Sequence, residues 1–72
     1  MKANYLLEFF VLENERWERK YCGYYNESAK RHEIHALKRA GYVYCRIRHA
    51  YVKETDNFEF AVVVHKYFLN EK

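Results

Sequence analysis

The sequence predicts a single small α+β domain over residues 1–72: a four-stranded, mostly antiparallel sheet with one helix packed on one face, in the order β-β-α-β-β. Three observations lead to this fold. A chain of 72 residues is long enough for one domain only. Half of its residues are apolar and 32% are charged, which is typical of globular proteins. Finally, segments with alternating apolar residues flank one central segment with helical spacing.

The first two strands are expected at residues 5–12 and 17–25. One apolar set in the first segment has a period of two: Tyr5, Leu7, Phe9 and Val11. Residues 13–16 form a polar break of hairpin length. The aromatic-rich segment that follows is therefore expected to pair with the first strand in an antiparallel hairpin.

One helix is expected at residues 29–40. Asn26 or Ser28 supplies an N-cap, and Gly41 stands where a glycine ends many helices. At about 100° per residue, one side is mainly apolar and carries Ala29, Glu33, Ile34, Ala36, Leu37 and Ala40. The opposite side carries Arg31, His32, His35, Lys38 and Arg39.

Two further strands are expected at residues 42–52 and 58–69. A right-handed crossover places the third strand beside the first, which gives the spatial order 2-1-3-4. The predicted core contains Leu7, Phe9, Val11, Trp17, Ile34, Leu37, Val43, Ile47, Phe60, Val62 and Val64. Because one helix covers only one face of the sheet, the other face is expected to meet water, a ligand or a second copy of the chain.

Positive charge is concentrated in the middle of the chain. The formal net charge is +3, and residues 28–52 contain six Lys or Arg and one Glu. Each flanking part has one more acidic than basic residue. This asymmetry favours an acidic partner, either nucleic acid or an acidic protein surface.

Several function classes have no support in the sequence. Two cysteines are too few for a disulfide scaffold, and the chain has no catalytic or nucleotide-cofactor motif and no convincing metal-binding motif. We therefore expect no cofactor, no metal site and no enzymatic activity. The start of the chain does not resemble a signal peptide, and its longest apolar run is far shorter than the roughly 18–20 residues that span a bilayer. These features predict a cytoplasmic protein with no membrane partner.

The outer helix surface is the first candidate binding site. Arg31, Lys38 and Arg39 carry permanent positive charges, and His35 adds a titratable ring. Such a stripe is able to contact the phosphates of a nucleic acid. The alternative is an ordinary solvated helix surface, on which Glu27 and Arg31 form an i,i+4 ion pair.

A second candidate is the alternating row Tyr42, Tyr44, Arg46 and Arg48. If these residues lie on one strand, they share one face, where tyrosines stack on bases and arginines hold phosphates. Residues 39–44 resemble the signature of the RNA recognition motif family, although that family has the order β-α-β-β-α-β with two helices. The alternative is cross-strand packing of tyrosines on an open sheet face, or a dimer seam.

Two functional hypotheses follow. The first is a module that binds RNA or single-stranded DNA through the basic helix or the Tyr/Arg row. The second is a small protein-binding protein, either an inhibitor of a larger host enzyme or a homodimer joined through a tyrosine-rich sheet face, because Tyr, Trp and Arg are enriched at interface hot spots. In size and composition the chain is similar to small phage-encoded proteins that bind host machinery, anti-CRISPR-like proteins among them. The helix surface and the uncovered sheet face are expected to point in opposite directions.

Overall fold

The described part of the chain folds into five strands and one helix. A computed structural model describes residues 2–69, with the side chains of residues 4–66. The elements are β1 (Lys2–Glu13), β2 (Arg16–Tyr25), α1 (Glu27–Arg39), β3 (Val43–Cys45), β4 (Ala50–Glu54) and β5 (Glu59–Leu69). The prediction of an α+β fold with one helix and an antiparallel sheet is confirmed. The predicted count of four strands is wrong.

The strands form one sheet in the order β2-β1-β5-β4-β3, and its pairings are antiparallel. The long strands β1 and β5 lie at the centre. The predicted order 2-1-3-4 is therefore wrong, because the last strand of the chain lies beside β1. Instead, α1 carries the chain from the β2 edge to the opposite edge, and β3, β4 and β5 return from there as a meander.

A tight turn divides the predicted third strand into β3 and β4. Residues 46–49 form this turn, and His49 adopts a left-handed backbone conformation with φ 53°. Apolar side chains alternate with Tyr or Arg from residue 42 into the turn. The period-two pattern of the sequence therefore does not show that the strand ends there. The turn also lacks Gly, Pro and Asn, which mark most turns in a sequence.

The β1–β2 hairpin has a turn that suits the twist of its strands. Asn14 and Glu15 link the strands with φ values of 50° and 64°, as in a type I′ turn. The register shifts between Phe9 and Phe10, where Lys20 is the extra residue of a β-bulge. From this bulge towards the turn, the side-chain alternation of β2 is displaced by one residue.

Both ends of α1 have the expected cap chemistry. Asn26 is the N-cap, and its side-chain oxygen accepts a 2.8 Å hydrogen bond from the Ala29 amide. Gly41 follows the C-cap with φ 103°, a conformation that favours glycine. The helix faces the sheet through the buried Leu37 and the half-buried Ile34.

The sheet has two different faces, which the strand register defines because paired residues point to the same side. The covered face, on which α1 packs, carries Tyr5, Leu7, Phe9, Tyr25, Tyr44, Tyr51, Val62 and Val64. The open face carries Leu6, Glu8, Phe10, Trp17, Cys22, Val43, Ala61, Val63 and His65.

The core lies between α1 and the covered face. Its buried cluster is Tyr5, Leu7, Leu37 and Val62, against which Phe9, Tyr25, Tyr42, Tyr51 and Val64 pack. Leu7, Leu37 and Val62 are thus correctly predicted core residues. Tyrosines supply much of the rest, so a large part of the aromatic content fills space under the helix.

Three residues of the predicted core are exposed. Val43 and Ile47 are 67% and 92% exposed, because the turn reverses the strand phase and puts Tyr44 on the covered face. Trp17 is 42% exposed on the open face. The bulge at Lys20 is the cause, since it displaces the alternation and turns Trp17 away from the helix.

Tyr25 gives the fold a pH dependence in the alkaline range. Burial, followed by a hydrogen bond with Tyr21 and the charge of Glu33, raises the pKa of Tyr25 from 10.0 to about 12. Above pH 10 the unfolded chain loses this proton before the folded chain does. The stability that Tyr25 contributes is therefore present below pH 10 and lost as the pH rises through 12.

We expect Tyr25→Phe to flatten the fall in the free energy of unfolding between pH 10 and pH 12. Urea denaturation at a series of pH values measures this slope. The difference between the two proteins reports the contribution of the Tyr25 hydroxyl, including its hydrogen bond with Tyr21. Identical slopes in the two proteins would show that Tyr25 titrates normally in the folded chain.

Candidate nucleic-acid interface

The outer surface of α1 is basic and exposed, as the sequence predicts. The exposed residues include Arg31, His32, His35, Lys38 and Arg39. Nε of Arg31 lies 3.5 Å from a carboxylate oxygen of Glu27, which is the i,i+4 pair expected under the alternative of an ordinary solvated helix surface. Among the side chains that the structure describes, none forms an ion pair with Lys38 or Arg39, so both charges are open to an external anion.

One flank of the helix borders a groove on the covered face. We call it the helix–turn groove and define it by Lys30, Ile34, Tyr44, His49, Tyr51 and Val64. Lys30 and Ile34 form its helix wall, and the β3–β4 hairpin forms the facing wall. The groove is open to solvent and has a volume of about 280 Å³.

A second depression continues the groove along the β3–β4 turn. Tyr44 and His49 line both depressions, and the second one adds Arg46 and Ile47. Arg46 therefore lies at the outer end of a continuous surface strip. Arg46 belongs to the β3–β4 turn, whereas Lys30 belongs to the helix wall.

Helical geometry places two more cations at the rim of this groove. Arg31 precedes Ile34 by three residues and Lys38 follows it by four, so both are its neighbours on the helix surface. At about 100° per residue, Arg31 and Lys38 lie about 60° and about 40° from Ile34 around the helix axis. His35 and Arg39 lie farther around it, about 100° and about 140° from Ile34. The groove is thus flanked by Arg31 and Lys38 on the helix.

Glu27 holds Lys30 and Arg31 in place at the start of the helix. Nζ of Lys30 lies 3.0 Å from the Glu27 carboxylate and 4.3 Å from the centre of the Tyr5 ring. The Tyr5 hydroxyl donates a 2.8 Å hydrogen bond to the same carboxylate. This bond, followed by the one from Lys30, lowers the pKa of Glu27, so its carboxylate is ionised at neutral pH.

Tyr44 provides an aromatic surface in the groove. Its ring packs edge-on against Tyr51, with the ring centres 5.0 Å apart and the planes at 64°. Tyr44 is nevertheless 48% exposed. The contact fixes the ring and leaves half of its surface open to a flat ligand such as a nucleic-acid base.

The predicted row of Tyr42, Tyr44, Arg46 and Arg48 does not form one surface. Tyr42 packs against the core, where burial raises its pKa. Arg46 lies in the turn and lines the second depression with Tyr44 and His49. Arg48 lies on the open face, where its guanidinium carbon is 5.9 Å from the centre of the Trp17 ring. The turn at residues 46–49 is the cause, because it ends the strand that these residues were expected to share.

Tyr44 instead lies on the same side of the sheet as the basic helix, and Arg46 lines the depression next to it. The uncovered sheet face still points away from the helix, but the expected placement of the whole Tyr/Arg row on that face is wrong, because Tyr44 lies on the covered one. The phase reversal at the turn is again the reason, since it pairs Tyr44 with Tyr51 on the covered face. The two candidate sites of the sequence analysis are thus partly combined in one groove.

Sequence reasoning misses three groove residues, namely Lys30, His49 and Tyr51. Lys30 faces the sheet, on a side of the helix that the pattern assigns to the core. Tyr51 would be visible in the sequence only if the turn before it were recognised, because Tyr44 and Tyr51 face each other across that hairpin. His49 has no signal of its own.

The open face carries a separate polar cluster. The Glu8 carboxylate lies 2.6 Å from Nε2 of His65 and 3.1 Å from Nη1 of Arg19. The hydrogen bond with His65, followed by that with Arg19, lowers the pKa of Glu8. Across the described residues, no three His, Cys, Asp or Glu side chains come together as metal ligands do.

No protein-family model matches the chain, and no curated protein or solved structure matches it. The site is therefore interpreted from its own geometry and chemistry. In the part of the chain that the structure describes, no helix is both long enough and apolar enough to cross a lipid bilayer.

Proposed function

We propose that the protein binds single-stranded nucleic acid, RNA or DNA, through the helix–turn groove and the basic helix surface beside it. The observation that carries this proposal is that cations and an exposed aromatic ring converge on one side of the sheet. Tyr44 and Arg46 line this strip, and Arg31 and Lys38 are the helix-surface neighbours of its Ile34 by their spacing of three and four residues. Phosphates and bases are recognised by these two kinds of group.

The cations and the tyrosine have separate roles in this proposal. Arg31, Lys38 and Arg46 contact phosphates on the two sides of the groove, and each contact releases condensed counterions. Tyr44 stacks on a base, and stacking tolerates any sequence because every base has an aromatic face. Binding is therefore weakly sequence-specific and falls as the salt concentration rises.

A single strand suits this groove better than a duplex. A base has to leave its stack to reach Tyr44, which a duplex resists and a single strand allows. The pairing of Tyr44 with Tyr51 holds the ring ready for this contact. The cations on the rim contact the backbone on either side of the stacked base.

A protein partner is the second candidate function, and the open face favours it. Trp17 is exposed there beside Arg48, and Phe10, Ala61 and Val63 adjoin them. Trp and Arg are typical hot-spot residues of protein interfaces. A phage-encoded inhibitor that acts on a host enzyme in the cytoplasm would dock through this apolar surface. A homodimer through a tyrosine-rich sheet face has less support, because the tyrosine-rich face is the covered one.

Fluorescence anisotropy with labelled single-stranded RNA, single-stranded DNA and duplex DNA tests the main proposal. With three phosphate contacts, the logarithm of the affinity for single strands is expected to fall with the logarithm of the salt concentration with a slope of about −2. Duplex DNA is expected to bind more weakly. A protein that binds none of these ligands at low salt would rule out the proposed function.

Tyr44→Ala tests the stacking role within the same assay. Removing a stacked ring is expected to cost about 1–3 kcal/mol, which is roughly a 5- to 150-fold loss of affinity, and to leave the salt slope unchanged. Tyr24→Ala is the matched control, since Tyr24 is an exposed tyrosine on the other face. Equal losses in the two variants would remove Tyr44 from the site.

A further inference from the structure

β2 is a long strand at the edge of the sheet. It has ten residues, and among the described strands it pairs with β1 alone. The opposite edge strand, β3, has only three residues. A long sheet edge is a template for pairing with another chain, because one row of main-chain N–H and C=O groups faces outward.

The two halves of β2 differ in how this edge is protected. The first half carries Arg16, Glu18, Arg19 and Lys20, and it ends in the bulge. Charges and bulges both discourage pairing between edges. The second half, residues 21–25, is uncharged, has no proline and keeps a regular register with β1. We call residues 21–25 the bare edge segment.

The main chain of Cys22 faces away from β1. Glu13 and Arg16 flank the two-residue turn, and such a closing pair exchanges both of its hydrogen bonds. Along an antiparallel pair of strands, pairs that exchange hydrogen bonds alternate with pairs that do not. When this alternation is followed from the turn through the bulge, Cys22 and Glu8 form a pair that does not exchange hydrogen bonds. The N–H and C=O of Cys22 therefore point outward, and its side chain is exposed.

We infer that the bare edge segment pairs, in antiparallel orientation, with the same segment of a second copy of the chain. The charge pattern of β2 supports a second copy as the occupant. Antiparallel pairing centred near Cys22 places Arg19 and Lys20 of each copy beside uncharged residues of the other copy. No like charges then face each other across the new pair of strands.

The resulting dimer has one continuous sheet of ten strands, five from each copy. Its two-fold axis is perpendicular to the sheet, so both helices lie on the same side. This inference does not depend on the proposed nucleic-acid binding. If both hold, the dimer presents two helix–turn grooves on one side of the sheet.

Light scattering and sedimentation with a reducing agent present test the pairing without disulfide formation. The native protein is expected to show a concentration-dependent equilibrium between monomer and dimer. Cys22→Lys is expected to raise the dissociation constant roughly tenfold or more, because like charges then meet near the two-fold axis. The fold is expected to tolerate this change, since Glu8 lies opposite Cys22 on β1.

Val43→Lys is the matched control. Val43 is an exposed strand residue on the same open face but at the other edge of the sheet, so this variant is expected to dimerise like the native protein. Hydrogen exchange of the native protein gives a readout that needs no variant. The outward Cys22 amide is expected to exchange more slowly as the protein concentration rises.

Two results would overturn the inference. One is a native protein that stays monomeric at all concentrations with a rapidly exchanging Cys22 amide. The other is a dimer that Val43→Lys weakens as much as Cys22→Lys, since this outcome would indicate that the open faces pack against each other.

Discussion

Replacing Leu7 with alanine is expected to lower the free energy of unfolding by about 2–5 kcal/mol. Leu7 is fully buried and lies in the core cluster with Leu37 and Val62. The variant loses buried apolar surface and leaves a cavity that its neighbours fill only in part. A domain of 72 residues has a total stability of roughly 4–11 kcal/mol, so this single change brings it close to unfolding.

Urea denaturation followed by far-UV circular dichroism measures this loss, with Ile47→Ala as the matched control. Both substitutions remove the same number of carbon atoms. Because Ile47 is almost fully exposed, its replacement is expected to change the free energy by no more than about 0.5 kcal/mol. Similar losses for the two variants would contradict the division of residues 42–52 into β3, a turn and β4.

Local chemistry makes the first hairpin and the helix predictable from the sequence. The alternation of Tyr5, Leu7 and Phe9 is uninterrupted, and the core uses that same set. Asn26 and Gly41 mark the two ends of α1, since each supplies a backbone or side-chain property that few other residues have. Signals of this kind act within a few residues and do not depend on the rest of the fold.

Two irregularities in the strands account for most of what the sequence could not predict. The bulge at Lys20 turns Trp17 to the open face, and the turn ending at His49 turns Tyr44 to the covered face. Each one changes the phase of a strand, and a change of phase moves a whole set of side chains to the other side of the sheet. Neither position carries a glycine, proline or asparagine that would mark it.

In the candidate site, too, some features could be predicted from the sequence and others could not. Arg31 and Lys38 lie on the outside of a helix whose buried side is clear from its apolar residues, so their exposure follows from the sequence. The groove beside them does not, because it requires the turn that puts Tyr44 on the covered face and Arg46 in the depression next to it. The cations were therefore predictable one by one, whereas their common groove was not.

The strand order also determines which strand lies at the edge of the sheet. A meander that ends with β5 beside β1 leaves β2 with one unpaired side, and this arrangement exposes the bare edge segment. The predicted order 2-1-3-4 also places the second strand at an edge. The free edge of β2 is thus common to both orders, and the groove is specific to the observed one.

Reversing the charges of Arg31 and Lys38 together, both to glutamate, is expected to weaken the binding of single-stranded nucleic acid about 100-fold at about 0.1 M salt. The loss of two phosphate contacts accounts for roughly 25-fold of this effect, and repulsion of the phosphates by the new carboxylates accounts for the rest. The salt slope is expected to become shallower by about 1.4, which is about 0.7 for each lost contact. Anisotropy titrations at several salt concentrations measure both quantities.

Arg16→Glu combined with Lys20→Glu is the matched control for this prediction. Both double variants change the formal net charge from +3 to −1, but Arg16 and Lys20 lie on β2, away from the groove. If binding depends on the groove, the control keeps the native salt slope and most of the affinity. If both variants lose affinity equally, net charge alone attracts the nucleic acid and the groove is not the site. Replacing Arg31 and Lys38 with glutamine is expected to give the smaller, roughly 25-fold loss, because the contacts disappear without the repulsion.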